Sequence, residues 1–275
     1  MPTILLILKY LTNPKNYLEL GKTFLGLRII REELREIKKI LQTNPALSPV
    51  DNFITANYLC NESGHFHKHY YEWRMKRIRT ILEIYGIEWE GRRVLELGGG
   101  LGDIGAFFAQ LGAEVLSLEG RQSNVNFANL KYRTFKNFKS VCYDLEKDFT
   151  NYGSFDVILN LGLIEAIQNI NPLLECSVKM SDNIVVETMV CDSADPNKIV
   201  YVTRDVKGID SGIRPRHSRP SPFYIERFFK EHGYEAERYF TQDLNTKTHF
   251  YDWEHTNDGS VKEGMKRFWN FRRKK

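Results

Sequence analysis

The sequence lacks the features that mark several large classes of protein. Its four cysteines are scattered without C-x-x-C spacing, so neither a disulfide framework nor a zinc site is expected. They suit packing positions in a reduced, cytoplasmic protein. No apolar run is long enough to span a membrane, since residues 3–11 are followed by Asn13-Pro14. That run also lacks the charged front and the small-residue cleavage site of a signal peptide.

Strong charge of either sign is absent as well. The net charge of +4 is mild, whereas nucleic-acid-binding proteins usually show a steeper and clustered basic excess. Hydrophobic residues make up 42% and aromatic residues 13% of the 275 positions. This composition is sufficient for a full core and excludes global disorder. The length fits one large domain, or one domain with an appendage.

Residues 92–119 form the most informative stretch that is present. Val94–Leu97 is a short apolar run that predicts a buried strand. Gly98–Gly100 follow it, and glycine is needed where backbone turns sharply and lies against a ligand. Ile104–Leu111 predicts a helix, and a second apolar strand ends at Glu119. This order of elements, a strand, a glycine loop, a helix, a second strand and an acid, predicts the nucleotide-binding half of a doubly wound α/β fold.

Two cofactor classes use such a unit. Residues 100–105, GLGDIG, match the dinucleotide pattern G-x-G-x-x-G, and Glu119 lies at the spacing of a ribose ligand. Glu96 favours the other class, because it gives Glu-Leu-Gly-Gly-Gly-Leu-Gly. This stretch resembles the first motif, E/D-x-G-x-G-x-G, of class I S-adenosylmethionine-dependent methyltransferases. Their cofactor carries an ammonium and a sulfonium and no pyrophosphate for a helix N-terminus, so a carboxylate near the loop suits it.

Later stretches resemble the same family, and the resemblance covers about residues 92–250. Residues 155–167, FDVILNLGLIEAI, are similar to F-D-x-V-x-x-x-G-x-L-E-H-I of small-molecule methyltransferases, with Ala166 in place of the histidine. The resemblance implies that Glu119 accepts the ribose hydroxyls and that Asp144 takes the adenine amino group. Arg74 suits the cofactor's carboxylate as a bidentate partner. The expected cofactor-binding residues are Arg74, Glu96, Gly98, Gly99, Gly100, Glu119, Gly120, Asp144, Leu145, Asn160 and Leu161.

The predicted fold class is α/β, a doubly wound and mostly parallel seven-stranded sheet with an antiparallel last strand. Alternating strands and helices after residue 92 favour parallel pairing with right-handed crossovers. Residues 237–240 and 248–253 follow each other closely, as the strands of a hairpin do. That pair resembles the antiparallel end of the methyltransferase sheet.

Asn44-Pro45 and Ser48-Pro49 mark a linker, which divides the chain into residues 1–48 and 49–275. The first part reads as a helical appendage that packs on the core or in a homo-oligomer, with contact to a membrane surface as the alternative. Histidines 65, 67 and 69 alternate as strand metal ligands would, but no carboxylate shares the alternation and a helix over residues 69–85 follows. We therefore expect no metal site.

Residues 191–218 are the expected specificity insert, a polar and glycine-bearing segment that closes over the methyl acceptor. His217 is the first candidate for a general base, because histidine titrates near working pH, and Glu165 is the second. Arg214, Arg216 and Arg219 suit an anionic acceptor, such as a phosphate, a carboxylate or a nucleotide-linked sugar.

The expected function is O-methylation of a small molecule or of a sugar or glycan precursor. Asn160-Leu161-Gly162-Leu163 lacks the proline and aromatic residue of amino-group methyltransferases, which argues against adenine-N6 and glutamine acceptors. The tail, residues 257–275, mixes aromatics and bases, so an RNA-modifying enzyme is an alternative. We expect instead that its aromatics pack on the sheet and its charges face water. A partner-binding protein without activity is a further alternative, and the intact motif residues argue against it.

Overall fold

A computed structural model describes residues 69–208 and 210–274 of the chain. The expected helical appendage over residues 1–48, the linker, and His65 and His67 lie outside the described residues.

Helices and strands alternate over residues 69–189, and strands predominate after that. The five α-helices are α1 His69–Tyr85, α2 Asp103–Gln110, α3 Gln122–Lys131, α4 Asn171–Met180 and α5 Pro222–Glu231. The first five strands are β1 Arg93–Leu97, β2 Glu114–Glu119, β3 Phe138–Cys142, β4 Val157–Leu161 and β5 Asn183–Met189. The remaining strands are β6 Ile199–Thr203, β7 Arg216–Pro220, β8 Tyr234–Tyr239 and β9 Lys266–Arg273. Short 3-10 helices cover Thr150–Tyr152, Ile164–Ala166 and Gln242–Leu244.

Seven of these strands form one sheet, in the order β3-β2-β1-β4-β5-β9-β8. Neighbouring strands from β3 to β5 run parallel, whereas β9 is antiparallel to both β5 and β8. The predicted fold class is therefore confirmed, including the antiparallel last strand. β6 and β7 lie apart from this sheet and form a two-stranded antiparallel ribbon within the expected insert.

The predicted hairpin between residues 237–240 and 248–253 is wrong. β8 pairs with β9, so its partner strand begins more than twenty residues later in the sequence. The segment taken as a basic, aromatic tail thus supplies the strand between β5 and β8. Its aromatic side chains are buried as expected, but Lys266 and Arg267 are fully buried too and do not face water.

Apolar side chains cover both faces of the sheet. On one face, α4 and α5 pack Leu173 and Phe229 against strand residues such as Ile158 and Phe271. On the other face, α1, α2 and α3 cover a second cluster that includes Val94 and Phe268. Burial on both faces explains why the parallel strands read as apolar runs without alternation.

The strand order changes direction at β1, because β2 and β4 lie on opposite sides of it. In open α/β sheets, such a switch point opens a crevice at the carboxyl ends of the strands, where ligands bind. Within the described residues, no helix is both long and apolar enough to cross a membrane.

Replacing Phe271 by Ala should destabilise the protein strongly. Phe271 is fully buried on β9 and stacks on Phe229, with ring centroids 3.9 Å apart. We expect the free energy of unfolding to fall by about 3–5 kcal/mol, measured by denaturant titration followed by circular dichroism. Phe250→Ala is the matched control, because that ring is 44% exposed, and it should change stability by less than about 0.5 kcal/mol. A larger loss from Phe250→Ala than from Phe271→Ala would contradict the strand assignment.

Candidate functional site

A cavity opens at the carboxyl ends of β1, β2 and β4, at the switch point of the sheet. Its wall combines the glycine loop after β1, the ends of β2 and β4, one face of α1 and a short stretch of the ribbon loop. The residues that line it include Trp73, Arg74, Arg77, Glu96, Leu97–Leu101, Glu119, Gly120, Tyr143, Leu145, Leu161–Leu163, Glu165–Ile167 and Asp210–Ile213.

The glycine loop folds directly over the side chain of Glu96. Glu96 Oε1 accepts a hydrogen bond from the Gly105 N–H at 3.0 Å, while Oε2 lies near the Ser117 hydroxyl without a regular hydrogen bond. A Cβ at Gly99 would collide with the side chains of Glu96 and Ser117, so only glycine allows this approach. Burial raises the pKa of Glu96 to about 7. About half of the Glu96 carboxyl groups are therefore protonated in neutral solution unless a cation stabilises the ionised form.

Glu119 lies at the end of β2 and holds the glycine loop from the other side. Its Oε2 accepts the Gly100 N–H at 3.0 Å, and its Oε1 accepts the Arg121 N–H at 2.9 Å. Gly100 has a φ of 55° and faces open space, since a Cβ there would meet nothing within 4 Å. Burial raises the pKa of Glu119 as well. The structure thus brings Glu96, the three glycines and Glu119 together around one space, and their predicted role in cofactor binding stays a prediction.

Asp144 is already paired in the structure. Arg214 binds it through two nitrogens, at 3.0 Å to Oδ1 and 2.6 Å to Oδ2, and also reaches Glu146. The hydrogen bond from Arg214 lowers the pKa of Asp144 despite its partial burial. Asp144 is not among the cavity-lining residues, whereas Tyr143 and Leu145 on either side of it are.

The two candidates on β4 face different surroundings. Leu161 lines the cavity. Asn160 is buried beside the core on the opposite face, and neither polar atom of its amide has a partner among the described residues. It is not among the residues that line the cavity.

Arg74 lines the cavity from α1 and ion-pairs with Asp103 at 2.5 Å. Arg77, which the sequence-based prediction missed, lies one turn further along the helix and also lines the cavity. Its guanidinium packs on the ring of Trp73, 3.3 Å from the centroid, and ion-pairs with the fully buried Glu187. A charged residue in the middle of β5, within the apolar run NIVVETMV, was the signal available in the sequence.

Glu165 is held at the cavity wall by a buried lysine. Lys266 Nζ lies 2.8 Å from Oε1 and 2.7 Å from Oε2 of Glu165, and 3.0 Å from Oε1 of Glu187. The Met189 N–H also donates to Glu165. Glu165, which is among the residues that line the cavity, thus has its carboxylate held in one position.

His217 is close to the cavity but does not line it. Its Nε2 lies 3.0 Å from the carbonyl oxygen of Arg214, and the ring sits behind Gly212. Burial, with the nearby charge of Arg219, lowers the pKa of His217. The structure therefore does not bring His217 together with Glu165 on the exposed wall.

Arg121 fastens the ribbon loop over the cavity. Its guanidinium donates to the carbonyl oxygens of Ser211, Val206 and Gly212 at 3.2, 2.5 and 3.0 Å. Since the Arg121 N–H binds Glu119, the loop and the end of β2 are tied to one residue. The insert contains a two-stranded ribbon whose loop lies against the end of β2, and its closure over the methyl acceptor stays a prediction.

No protein-family model matches the sequence, and no curated protein matches it. Several solved structures, however, are similar to this chain in fold. The N-terminal domain of EvdMO1 with SAH bound is 20% identical, with a TM-score of 0.56 over 74% of this chain and 81% of that one. The same domain in the presence of SAH and D-fucose has the same TM-score and identity, over 74% and 83% of the chains.

A Listeria monocytogenes protein assigned as an S-adenosylmethionine-dependent methyltransferase is 11% identical, with a TM-score of 0.51. That match covers 74% of this chain and 99% of the other. The strand order, the single antiparallel strand and these neighbours lead to one conclusion: the chain has the class I methyltransferase fold.

Proposed function

We propose that the protein is an S-adenosylmethionine-dependent methyltransferase that methylates an oxygen atom of a sugar or another small molecule. The main observation that supports this proposal is that the glycine loop, Glu119 and Glu165 all line one cavity. The same cavity would therefore bind the cofactor and offer a carboxylate to the methyl acceptor.

The chain's residues fit the cofactor. Glu119 is positioned to accept hydrogen bonds from the ribose hydroxyls, and Leu145 and Tyr143 flank the space for the adenine. The unpartnered Oε2 of Glu96, buried beneath the loop, suits a cationic ligand. Two structural neighbours were crystallised with SAH, which supports the same assignment.

Asp144 has a different role in this proposal from that expected. Because Arg214 occupies both of its oxygens, Asp144 anchors the ribbon loop, and adenine recognition falls to the backbone and the apolar wall around Leu145. Arg77 joins Arg74 as a candidate for the cofactor's carboxylate, since both line the cavity and Arg74 is shared with Asp103.

When bound, S-adenosylmethionine supplies a methyl group that is already activated by the sulfonium. The protein then has to exclude water and hold the acceptor oxygen in line with that carbon. Glu165 accepts the hydrogen bond of the attacking hydroxyl and takes up its proton. It is a better candidate than His217, because Glu165 is among the residues that line the cavity, whereas the His217 imidazole lies behind Gly212.

A sugar is the preferred acceptor, and one neighbour was crystallised in the presence of D-fucose. The RNA alternative loses part of its support, because Lys266, Arg267 and the aromatic residues of β9 are buried, while Arg272, Arg273 and Lys274 stay exposed. The partner-binding alternative does not account for a cavity that retains every element of the glycine motif.

The first test is calorimetric titration with S-adenosylhomocysteine, with NADH as the control. We expect the former to bind and the latter not to. Glu119→Gln should weaken S-adenosylhomocysteine binding about tenfold or more, because charge-assisted hydrogen bonds to the ribose are lost. Glu114→Gln, exposed at the start of the same strand, should bind like wild type. Binding of NADH alone would show that GLGDIG is a dinucleotide motif and would refute the proposal.

Glu96→Gln should stabilise the protein strongly at pH 8 and only weakly at pH 5. Glu96 has a pKa of about 7 when folded, against 4.5 as the ordinary value. Its contribution to stability is thus complete below about pH 4.5 and is lost as pH rises through 7. Glutamine does not titrate, so at pH 8 the variant should gain up to about 3 kcal/mol.

Thermal unfolding at both pH values measures this difference, with Glu114→Gln as the control. An equal effect of Glu96→Gln at pH 5 and pH 8 would show that the carboxyl is not held protonated beneath the loop.

Glu165→Gln should reduce methyl transfer by about 10²–10⁴-fold, because the proton acceptor is lost while the volume is kept. Formation of S-adenosylhomocysteine with a panel of sugars, and with RNA as a separate substrate, measures it. Affinity for S-adenosylhomocysteine should stay unchanged, and Glu175→Gln on the exposed side of α4 should be fully active. Full activity of Glu165→Gln would exclude it as the base, and turnover of RNA alone would replace the acceptor class.

A further inference from the structure

The ribbon loop, which joins β6 to β7, brings one exposed apolar residue to the wall of the cavity. Ile213 is 40% exposed and is among the residues that line the cavity. Within residues 69–208 and 210–274, the other large apolar residues with such exposure do not line it; they are Met75, Ile87, Tyr201, Phe240 and Phe250. Single exposed apolar residues are common on protein surfaces, so the informative feature of Ile213 is its place at the cavity.

Ile213 packs against a residue that has no side chain of its own. A Cβ on Gly120 would lie 3.0 Å from Ile213 Cγ2, and the next nearest atoms, Cδ1 and Cγ1, belong to the same side chain. Gly120 directly follows Glu119 at the end of β2, and it also lines the cavity. The isoleucine therefore occupies the place that a side chain at residue 120 would otherwise take.

Contacts on both sides of Ile213 hold the ribbon loop against the ends of β2 and β3. On one side, Arg121 donates to the carbonyl oxygen of Gly212 at 3.0 Å. On the other side, Arg214 binds both carboxylate oxygens of Asp144, at 3.0 and 2.6 Å. Arg121 lies just beyond β2, and Asp144 lies just beyond β3. The position of Ile213 is therefore set by its neighbours in the chain.

A third contact joins the loop to the segment that follows β4. A Cβ on Gly212 would lie 2.3 Å from the carbonyl oxygen of Ala166 and 2.6 Å from His217 Nε2, so only glycine fits there. His217 Nε2 itself lies 3.0 Å from the carbonyl oxygen of Arg214. The loop thus spans the ends of three strands that surround the cavity.

The chemistry of Glu119 indicates which part of a ligand would lie beside Ile213. In the proposed function, Glu119 accepts hydrogen bonds from the ribose hydroxyls of the cofactor. An apolar side chain next to that carboxylate suits the adjoining flat and uncharged base, because burial of apolar surface favours binding. It does not suit the charged amino-acid end of the cofactor or the hydroxyls of a sugar, since these groups need polar partners.

We propose that Ile213 packs on the adenosine of the bound cofactor, in place of a side chain at residue 120. This inference rests on the proposed function, since it takes Glu119 as the ribose ligand. It assigns part of the insert to the cofactor, whereas the sequence led us to expect that the insert acts on the methyl acceptor. A segment far beyond the glycine motif would then complete the adenosine site.

Calorimetric titration of the full chain tests this contact with S-adenosylhomocysteine and with 5′-methylthioadenosine, which lacks the amino-acid end. Ile213→Ala should weaken the binding of both ligands by a similar factor of about five- to tenfold, because apolar contact with the adenosine is lost. Unchanged affinity for both ligands would overturn the inference. A loss for S-adenosylhomocysteine alone would overturn it too, because the contact would then be with the amino-acid end.

Ile87→Ala is the matched control for Ile213→Ala. It makes the same chemical change at a residue that is 75% exposed and does not line the cavity, so it should bind both ligands like wild type. Both variants should leave the midpoint of thermal unfolding nearly unchanged, because both side chains are exposed. An equal loss of affinity in Ile87→Ala would overturn the inference.

A side chain introduced at residue 120 tests the exchange of positions directly. Gly120 is not among the glycines with a positive φ, so its backbone accepts other residues. Gly120→Val alone should weaken binding, because its Cβ would crowd Ile213. Combined with Ile213→Ala, the same change should instead recover part of the lost affinity. Equal weakening by Gly120→Val in both backgrounds would overturn the inference.

Failure of this inference and failure of the proposed function give different results. If S-adenosylhomocysteine binds wild type and Ile213→Ala equally, only the contact with Ile213 is wrong. If NADH binds and S-adenosylhomocysteine does not, the proposed function is wrong. NADH also carries an adenosine, so its affinity for Ile213→Ala then tests the contact in the same way. If neither ligand binds the folded protein, both proposals are wrong.

Discussion

The buried ammonium of Lys266, held between two carboxylates, is the interaction on which the rest of the structure depends. It is fully buried and lies within 3.0 Å of both Glu165 and Glu187. A charge so far from water persists only with partners at hydrogen-bonding distance. Because Lys266 belongs to β9 and Glu187 to β5, the pair also specifies the register of these strands. A shift of the strand register by one residue would turn the Lys266 side chain to the opposite face of the sheet, where β5 has no carboxylate.

The same cluster places the helix that forms one wall of the cavity. Glu187 binds Arg77 of α1 and accepts the Tyr251 hydroxyl at 3.1 Å, while the Trp73 indole donates to that hydroxyl at 2.6 Å. Both α1 side chains line the cavity. One set of buried charges thus fixes strand order, helix position and the orientation of Glu165 together. Since ions in a dry interior demand good geometry, the site is rigid where the proposed acceptor hydroxyl would be held.

The parts of this site that were predictable from sequence are local. The glycine loop, Glu96 and Glu119 are found because strand, loop, helix and strand follow each other without interruption. β9 was missed because a buried strand with Lys266 and Arg267 at its start has the composition of a solvated tail. Their partners are supplied by residues far away in the sequence, and no local pattern encodes that. The same holds for Asp144, whose pairing with Arg214 depends on how the ribbon folds back over β3.

The glycine loop covers an acid that the fold itself does not neutralise. Glu96 is 4% exposed, and its Oε2 makes no regular hydrogen bond beneath the backbone. Burial of such a group is unfavourable in the free protein, and a cationic ligand relieves it. Under the proposed function, the cofactor is that cation. A more stable fold would pair this acid internally, so binding is favoured here at the expense of stability, which is the usual conflict between stability and activity.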